Sequence, residues 1–78
     1  MRLRIISPRG VLFEGEVQRV LLPGEKAPFV VLRTHAPLIS SLTKGKIAYT
    51  TPWGEVEEIS VDGGFVEVKS DTIVVCTE

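Results

Sequence analysis

The sequence is poor in the residues that staple small domains together. It contains one cysteine, Cys76, and one histidine, His35, among 78 residues. A lone cysteine forms no disulfide within the chain, and Cys/His zinc centres need more ligands than these two residues supply. We therefore expect no metal and no cofactor. Because a domain of this size buries only about 60% of its unfolded surface, burial against a partner is the expected source of extra stability.

The sequence also lacks a basic excess and a long apolar run. Nine Lys and Arg residues are balanced by ten Asp and Glu residues, which gives a formal net charge of −1. Nucleic-acid binders usually carry a strong positive excess, so an OB-like oligonucleotide binder is disfavoured, and the low aromatic content of 6% disfavours it further. No stretch has the length of a membrane span or the pattern of a signal peptide. The sequence predicts a cytosolic setting.

What the sequence does contain is typical of β-structure. Val and Ile together number 17, against seven Leu and three Ala, and β-branched side chains favour strands. Turn-forming residues recur at short intervals, a spacing typical of a sandwich or a barrel. We predict strands at about 2–6, 11–13, 16–22, 28–32, 38–42, 46–51, 55–61, 65–69 and 72–77.

Several of these strands alternate apolar and polar residues, so one face of each should meet a core. Segments 29–32 and 73–76 are instead apolar on both faces. For 73–76 we predict the centre of a sheet. For 29–32 two interpretations stay open, which are cover by a neighbouring segment and contact with a partner protein. The nearby run Pro37–Ile39 adds apolar surface, so residues 24–42 are a candidate partner site.

Candidates for covalent chemistry are weak. His35, Ser40 and Asp62 have the residue types of a nucleophilic triad, but no strand–turn–helix elbow accompanies them. We interpret His35 as a loop residue that contacts backbone or a partner. Glu55, Glu57 and Glu58 are interpreted as a solvated acidic face. The sequence thus predicts a non-enzyme.

Two turns and one basic group complete the residue-level predictions. Asp62-Gly63-Gly64 is predicted to form a hairpin turn whose glycines have positive φ. Arg2, Arg4 and Arg9 are interpreted as a solvated basic group. Trp53 lies in a turn, where it either anchors a partner or folds back over the sheet.

Four motifs occur in one order along the chain: Pro8 to Val17, Leu22-Pro23-Gly24, His35-Ala36-Pro37-Leu38 and Gly63 to Val68. Their order and separations resemble the N-terminal domain of the epsilon subunit of F-type ATP synthases, over about residues 2–77. The resemblance implies one all-β domain over residues 1–78, a β-sandwich of two antiparallel, roughly five-stranded sheets. It also implies a non-catalytic subunit of the rotor's central stalk, which packs on the gamma subunit and the c-ring and couples ion flow to ATP synthesis.

The resemblance carries particular positions with it. The loop expected to face the c-ring comprises Gly24, Glu25, Lys26, Ala27, Pro28 and Phe29, and the positions expected to face gamma are His35, Leu38 and Ser40. It implies a peripheral subunit at the cytoplasmic face of the energy-transducing membrane, soluble when isolated. The loop departs from the family's usual glycine pattern at Ala27 and Val30. The family's C-terminal helical hairpin lies outside this sequence, so its inhibition of hydrolysis and its ATP binding are not expected of these residues.

An alternative remains on the residues alone. A β-sandwich interaction module with a different partner would account for the apolar segment 28–39 equally well. Burial of that segment inside the domain would remove the reason for this alternative.

Overall fold

The computed structural model describes residues 1–78 and contains nine strands and no helix. The strands are β1 (Arg2–Ser7), β2 (Gly10–Glu16), β3 (Arg19–Leu22), β4 (Phe29–Leu32), β5 (Leu38–Leu42), β6 (Gly45–Thr50), β7 (Val56–Val61), β8 (Gly64–Lys69) and β9 (Thr72–Thr77). No segment of the structure is a helix with the length and apolarity needed to cross a bilayer.

The strands form two sheets that enclose one core, so the predicted β-sandwich is confirmed. One sheet has five strands in the order β2-β1-β9-β8-β5, and the other has four in the order β4-β3-β6-β7. All neighbouring strands are antiparallel except β1 and β9, the first and last, which are parallel. β9 is the central strand of its sheet, as predicted for segment 73–76. Ile73 and Val75 are buried in the core, whereas Val74 and Cys76 lie on the outer face and are half-buried.

The core follows the predicted alternation. Its fourteen apolar residues include Leu3 and Ile5 of β1 and Val66 and Val68 of β8, and it contains no buried charged residue. The intervening Arg2, Arg4, Glu67 and Lys69 are exposed. Full burial of one such aliphatic side chain contributes about 1.5–3 kcal/mol. Hydrophobic burial across the two sheets is therefore the main force that holds the sandwich together.

The predicted boundary between β2 and β3 is wrong. The prediction placed a break at 14–15, whereas β2 continues through Gly15 to Glu16 and the chain turns at 17–18. Gly15 pairs with Leu3 inside the sheet. A Cβ atom at Gly15 would lie 3.1 Å from the ring of Phe13. This glycine leaves room for an aromatic ring along its own strand and does not mark a turn.

The predicted hairpin at Asp62-Gly63-Gly64 is also wrong, although the positive φ of its glycines is confirmed, at 142° for Gly63 and 135° for Gly64. β7 belongs to the four-stranded sheet and β8 to the five-stranded sheet. The chain therefore crosses from one layer to the other at this point. A two-residue connection can make such a corner because glycine adopts backbone conformations that a Cβ atom would obstruct.

Tyr49 links the two sheets through a stacked pair of rings. Its ring lies 4.2 Å from that of Phe13, centroid to centroid, so β6 of one sheet meets β2 of the other. Burial raises the pKa of the Tyr49 hydroxyl above its usual 10.0, and the nearby carboxylate of Glu57 raises it further. Glu57 lies directly opposite Tyr49 in the β6–β7 pair.

This raised pKa predicts a loss of stability in alkali. Above pH 10 the unfolded chain loses the Tyr49 proton while the folded chain retains it, so the free energy of unfolding falls as pH rises toward the folded pKa. The Tyr49→Phe variant has no hydroxyl proton to lose, so its stability should not fall in this way. Urea unfolding of both chains from about pH 8 to pH 11 measures it, and we expect the wild-type curve to fall more steeply. Parallel curves would show that Tyr49 does not titrate in this way.

Candidate interaction surface

The three residues considered for a catalytic triad do not hydrogen-bond to one another. His35 Nδ1 lies 2.7 Å from the carbonyl oxygen of the next residue, Ala36. The Ser40 hydroxyl donates to the carbonyl oxygen of Ser41 at 3.2 Å. Asp62 is exposed at the corner after β7. The side chains of His35 and Ser40 thus contact adjacent backbone, as predicted for a loop histidine.

The acidic cluster is solvated, in agreement with its interpretation. Glu55, Glu57 and Glu58 are all exposed at β7, an edge strand of the four-stranded sheet. Glu58 pairs with Lys46 of the neighbouring strand at 3.8 Å. Exposed pairs of this kind contribute little to stability. Charge along an edge strand does, however, oppose pairing with another chain.

The loop between β3 and β4 is fixed against β5. Gly24 and Leu42 form an isolated antiparallel bridge. Around it, the Glu25 N–H donates to the Ser41 carbonyl at 3.0 Å, and the Thr43 N–H donates to the Pro23 carbonyl at 2.8 Å. A Cβ atom at Gly24 would overlap the carbonyl oxygen of Ala27 and lie 2.8 Å from the Phe29 ring. The loop therefore requires glycine at its base.

Beyond the bridge the same loop turns outward. Its residues from Glu25 to Pro28 are exposed, and Phe29 is half-buried against the core. Between this loop and β5 lies an open groove of about 490 Å³, whose β5 side is formed by Ile39, Ser40 and Ser41. The positions predicted to face the c-ring thus form one continuous wall of a groove.

The positions predicted to face gamma do not share one surface. His35 is exposed in the segment between β4 and β5. Leu38 lies opposite the buried Val68, so its side chain is directed toward the interior, where it packs against the core. Ser40 is half-buried and, two residues along the strand, has the same inward direction. The outward residue of this strand is Ile39, which is 75% exposed.

Ile39 extends an apolar area on the outer face of the five-stranded sheet. Strand register aligns Val11, Ile6, Cys76 and Phe65 across β2, β1, β9 and β8. Val11 and Phe65 are about half exposed, at 50% and 51%. We call the set formed by Ile6, Val11, Ile39, Phe65, Val74 and Cys76 the outer apolar patch. Glu67 is exposed on the same face, opposite both Val74 and Ile39, and separates Ile39 from the rest of this set. Exposed apolar residues grouped in this way are a candidate protein contact.

Charged residues border the outer apolar patch without giving it a net sign. Arg2 contacts Glu14 at 3.2 Å and Glu16 at 3.7 Å, and Arg4 approaches Glu14 at 4.0 Å. Of the predicted basic group of Arg2, Arg4 and Arg9, Arg2 and Arg4 are therefore paired with glutamates of β2. An apolar centre with a polar rim is the usual anatomy of a protein–protein interface.

The exposed apolar residues of the four-stranded sheet are more widely separated. Leu21, Leu32 and Val56 are 38%, 52% and 64% exposed. Register places Arg19 and Thr50 between Leu32 and Val56 on this face, so the exposed residues are separated by polar ones. Trp53 is 83% exposed in the β6–β7 turn, which excludes the alternative that it folds back over the sheet.

Ile39 was part of the predicted apolar run Pro37–Ile39 but was not singled out as a contact residue, although a signal for it was present. Leu38, Ser40 and Leu42 alternate with Ile39 and Ser41, and two leucines on one face identify that face as the inner one. Ile39 then falls on the outer face. The rest of the outer apolar patch depends on which strands are neighbours, which the sequence pattern does not contain.

The chain matches known proteins over its whole length. A family model described as "ATP synthase, Delta/Epsilon chain, beta-sandwich domain" matches residues 1–78. The ATP synthase epsilon chain of Desulfitobacterium hafniense is 42% identical over 76 residues, which is 97% of this chain and 57% of that protein. The epsilon chain of Leptospira borgpetersenii is 38% identical over 79 residues, which covers 100% of this chain and 61% of the relative. This chain thus spans about six-tenths of the length of these two relatives.

Solved structures match the fold at low sequence identity. A chain in the Euglena gracilis mitochondrial ATP synthase superposes with a TM-score of 0.90 at 18% identity, over 96% of this chain and 48% of that one. A chain in the central stalk and c-ring structure of the Tetrahymena thermophila mitochondrial ATP synthase gives 0.79 at 19% identity, over 99% and 62%. Fold, family model and curated relatives agree, and the chain therefore belongs to the ATP synthase delta/epsilon family, as its β-sandwich domain.

Proposed function

We propose that this domain is a non-catalytic part of the central stalk of an F-type ATP synthase. In this proposal it packs on the gamma subunit and rests on the c-ring. It thereby helps to couple ion flow through the ring to ATP synthesis in the head. It acts as a peripheral subunit at the cytoplasmic face of the energy-transducing membrane, and its contribution is binding and mechanical connection.

The observation that carries this proposal is the outer apolar patch beside the loop 24–29. The patch is a broad, mainly apolar surface that is interrupted by Glu67 between Val74 and Ile39. Such a surface fits a lasting contact with another folded subunit. We assign it to gamma, with Ile39 in place of Leu38 and Ser40 as the main contact on β5. His35 remains a candidate contact because it is exposed at the start of the same region.

The loop 24–29 is the proposed contact with the c-ring. Its outer residues are exposed and of mixed character, with Glu25 and Lys26 side by side. Its base is held by the Gly24–Leu42 bridge and the two backbone hydrogen bonds around it. A loop anchored in this way keeps its position under load, which a flexible loop does not.

A β-sandwich suits the mechanical part of this function. Protein interiors are packed as densely as organic crystals and deform little. A force applied at the loop is therefore transmitted through the Gly24–Leu42 bridge to β5 and to the five-stranded sheet that carries the outer apolar patch. Coupling by this route needs stable contacts at the loop and at the patch and no chemistry within the domain.

Co-purification with gamma tests the proposal. The chain and a tagged gamma subunit from the same organism are expressed together, and the complex is sized by gel filtration with light scattering. We expect a one-to-one complex that persists at micromolar concentration. An uncomplexed chain that elutes alone at that concentration would contradict the proposed function.

A further inference from the structure

We infer that Glu67 determines the specificity of the outer apolar patch, because its carboxylate binds a basic side chain of gamma, an arginine or a lysine. That side chain enters an open depression between β5 and β8. The inference deepens the proposed function and rests on it, since it takes the outer apolar patch as the contact with gamma. It adds the sign of the charge that gamma carries at this point.

Glu67 is exposed on the outer face of β8 and has apolar neighbours on both sides. It lies directly opposite Val74 of β9 and Ile39 of β5, and Phe65 precedes it on the same face of its own strand. Ile39 is 75% exposed. The register therefore places one carboxylate between the two parts of the outer apolar patch, and a subunit that covers the patch also covers Glu67.

The carboxylate of Glu67 has no counter-charge within the chain. The arginines of β1 are engaged with the glutamates of β2, and Arg4 lies beyond Val74, two strands away. On this side of the sheet β5 contributes no charge. Lys69 lies two residues further along β8 on the same face, but it forms no ion pair with Glu67. In the free chain the Glu67 carboxylate is therefore stabilised by water.

A partner that covers the patch removes this water. A carboxylate transferred from water to apolar surroundings without a counter-charge strongly opposes association. A wholly apolar partner surface is thus rejected at Glu67, although it would fit Ile39 and Phe65. A surface that brings a cation to Glu67 is accepted, and this difference gives specificity.

The surface beside Glu67 has room for a long basic side chain. The depression between β5 and β8 has a volume of about 440 Å³, and its lining includes Pro37, Ile39, Glu67 and Lys69. Arginine and lysine pack their aliphatic stems along apolar surface and extend their charged heads to polar groups. In this depression the stem lies on Pro37 and Ile39, and the head reaches Glu67.

Titration calorimetry with gamma tests this assignment. Glu67→Gln keeps the size of the side chain and removes its charge, and we expect it to bind gamma at least about ten-fold more weakly than wild type. Glu67→Lys should bind more weakly still, because it places two like charges together. Both variants should unfold at the wild-type temperature, since residue 67 is exposed. Glu58→Gln makes the same charge change on the opposite sheet and should bind as wild type does.

The other outcomes overturn the inference. Equal affinities of Glu67→Gln and wild type would show that the carboxylate stays in water, and tighter binding of the variant would show that it is buried without a counter-charge. If Lys69→Gln weakens binding as much as Glu67→Gln does, the chain itself supplies the cation. In these three cases a complex still forms and the proposed function stands. Failure of the wild-type chain to bind gamma would overturn both.

Discussion

Replacing Gly64 with alanine should destabilise the domain by about 3–5 kcal/mol, which combines backbone strain of about 1–3 kcal/mol with a steric overlap. Gly64 has a φ of 135°. A Cβ atom there would overlap the carbonyl oxygen of Cys76 and lie 2.9 Å from the Cα atom of Thr77. Both obstacles are backbone atoms of the central strand β9, so neither can move aside without disrupting the five-stranded sheet.

The expected loss is a large fraction of the domain's total free energy of unfolding. Domains have about 0.05–0.15 kcal/mol of stability per residue, which gives about 4–12 kcal/mol here. Thermal unfolding followed by circular dichroism should therefore show a midpoint lowered by roughly 12–40 °C, since each kcal/mol shifts it by about 4–8 °C in a domain of this size. If the free energy of unfolding of the wild-type chain lies at the low end of this range, the Gly64→Ala variant should already be unfolded at room temperature.

Gly10 provides the control for this variant. Its φ of 127° is close to that of Gly64, but a Cβ atom at Gly10 would meet no atom within 4 Å. Gly10→Ala therefore incurs the backbone strain without the overlap, and we expect it to cost about 1–2 kcal/mol. Equal losses in the two variants would show that the corner between the sheets tolerates a side chain, contrary to the structure.

Replacing Ile39 with aspartate should abolish tight binding to gamma while the fold persists. Removal of a central apolar contact costs about 2 kcal/mol or more at interface hot spots, equivalent to roughly a 30-fold loss of affinity. A charge introduced into an apolar interface increases that loss. Because Ile39 is 75% exposed, its replacement should change the free energy of unfolding by no more than about 1 kcal/mol. Titration calorimetry and urea unfolding measure the two quantities.

Val56→Asp makes the same kind of change on the opposite sheet. Val56 is 64% exposed on the outer face of β7, away from the outer apolar patch. We expect the affinity of the Val56→Asp variant for gamma to stay within about three-fold of wild type, which is well below a hot-spot effect. If Val56→Asp weakens binding more than Ile39→Asp does, the assignment of the gamma contact to the five-stranded sheet is wrong. Phe29 and Leu38 are less informative positions because both pack against the core.

The sequence was sufficient to predict the strands and the class of fold. Alternation in β1, β6 and β8 predicted which side chains enter the core, and β-branched runs located β4 and β9. The structural roles of individual glycines were predicted wrongly. Gly15 lies within β2, and Gly64 begins β8 after the chain has crossed from one sheet to the other. In the sequence alone, both glycines belong to segments that resemble turns.

The candidate site was predictable only in outline. Residues 24–42 were identified because segment 29–32 is apolar on both faces and Pro37–Ile39 adds apolar surface. The structure divides this region: Val31 is buried, while Leu32 and Ile39 are 52% and 75% exposed. The family resemblance assigned Leu38 and Ser40 to the gamma side, but the pleat turns both side chains inward and leaves Ile39 between them on the outer face. Ile6, Val11 and Phe65 could not be grouped from sequence, because their proximity depends on strands that are far apart along the chain.

The central claim is that this domain works through the outer face of its five-stranded sheet. Hydroxyl-radical footprinting of the chain, alone and bound to gamma, tests it most directly because it reports the solvent exposure of individual side chains. Ile39 and Phe65 should become protected on binding, while Leu32 and Val56, exposed on the outer face of the four-stranded sheet, should react as before. Protection of Leu32 and Val56 with unchanged reactivity at Ile39 and Phe65 would contradict the claim.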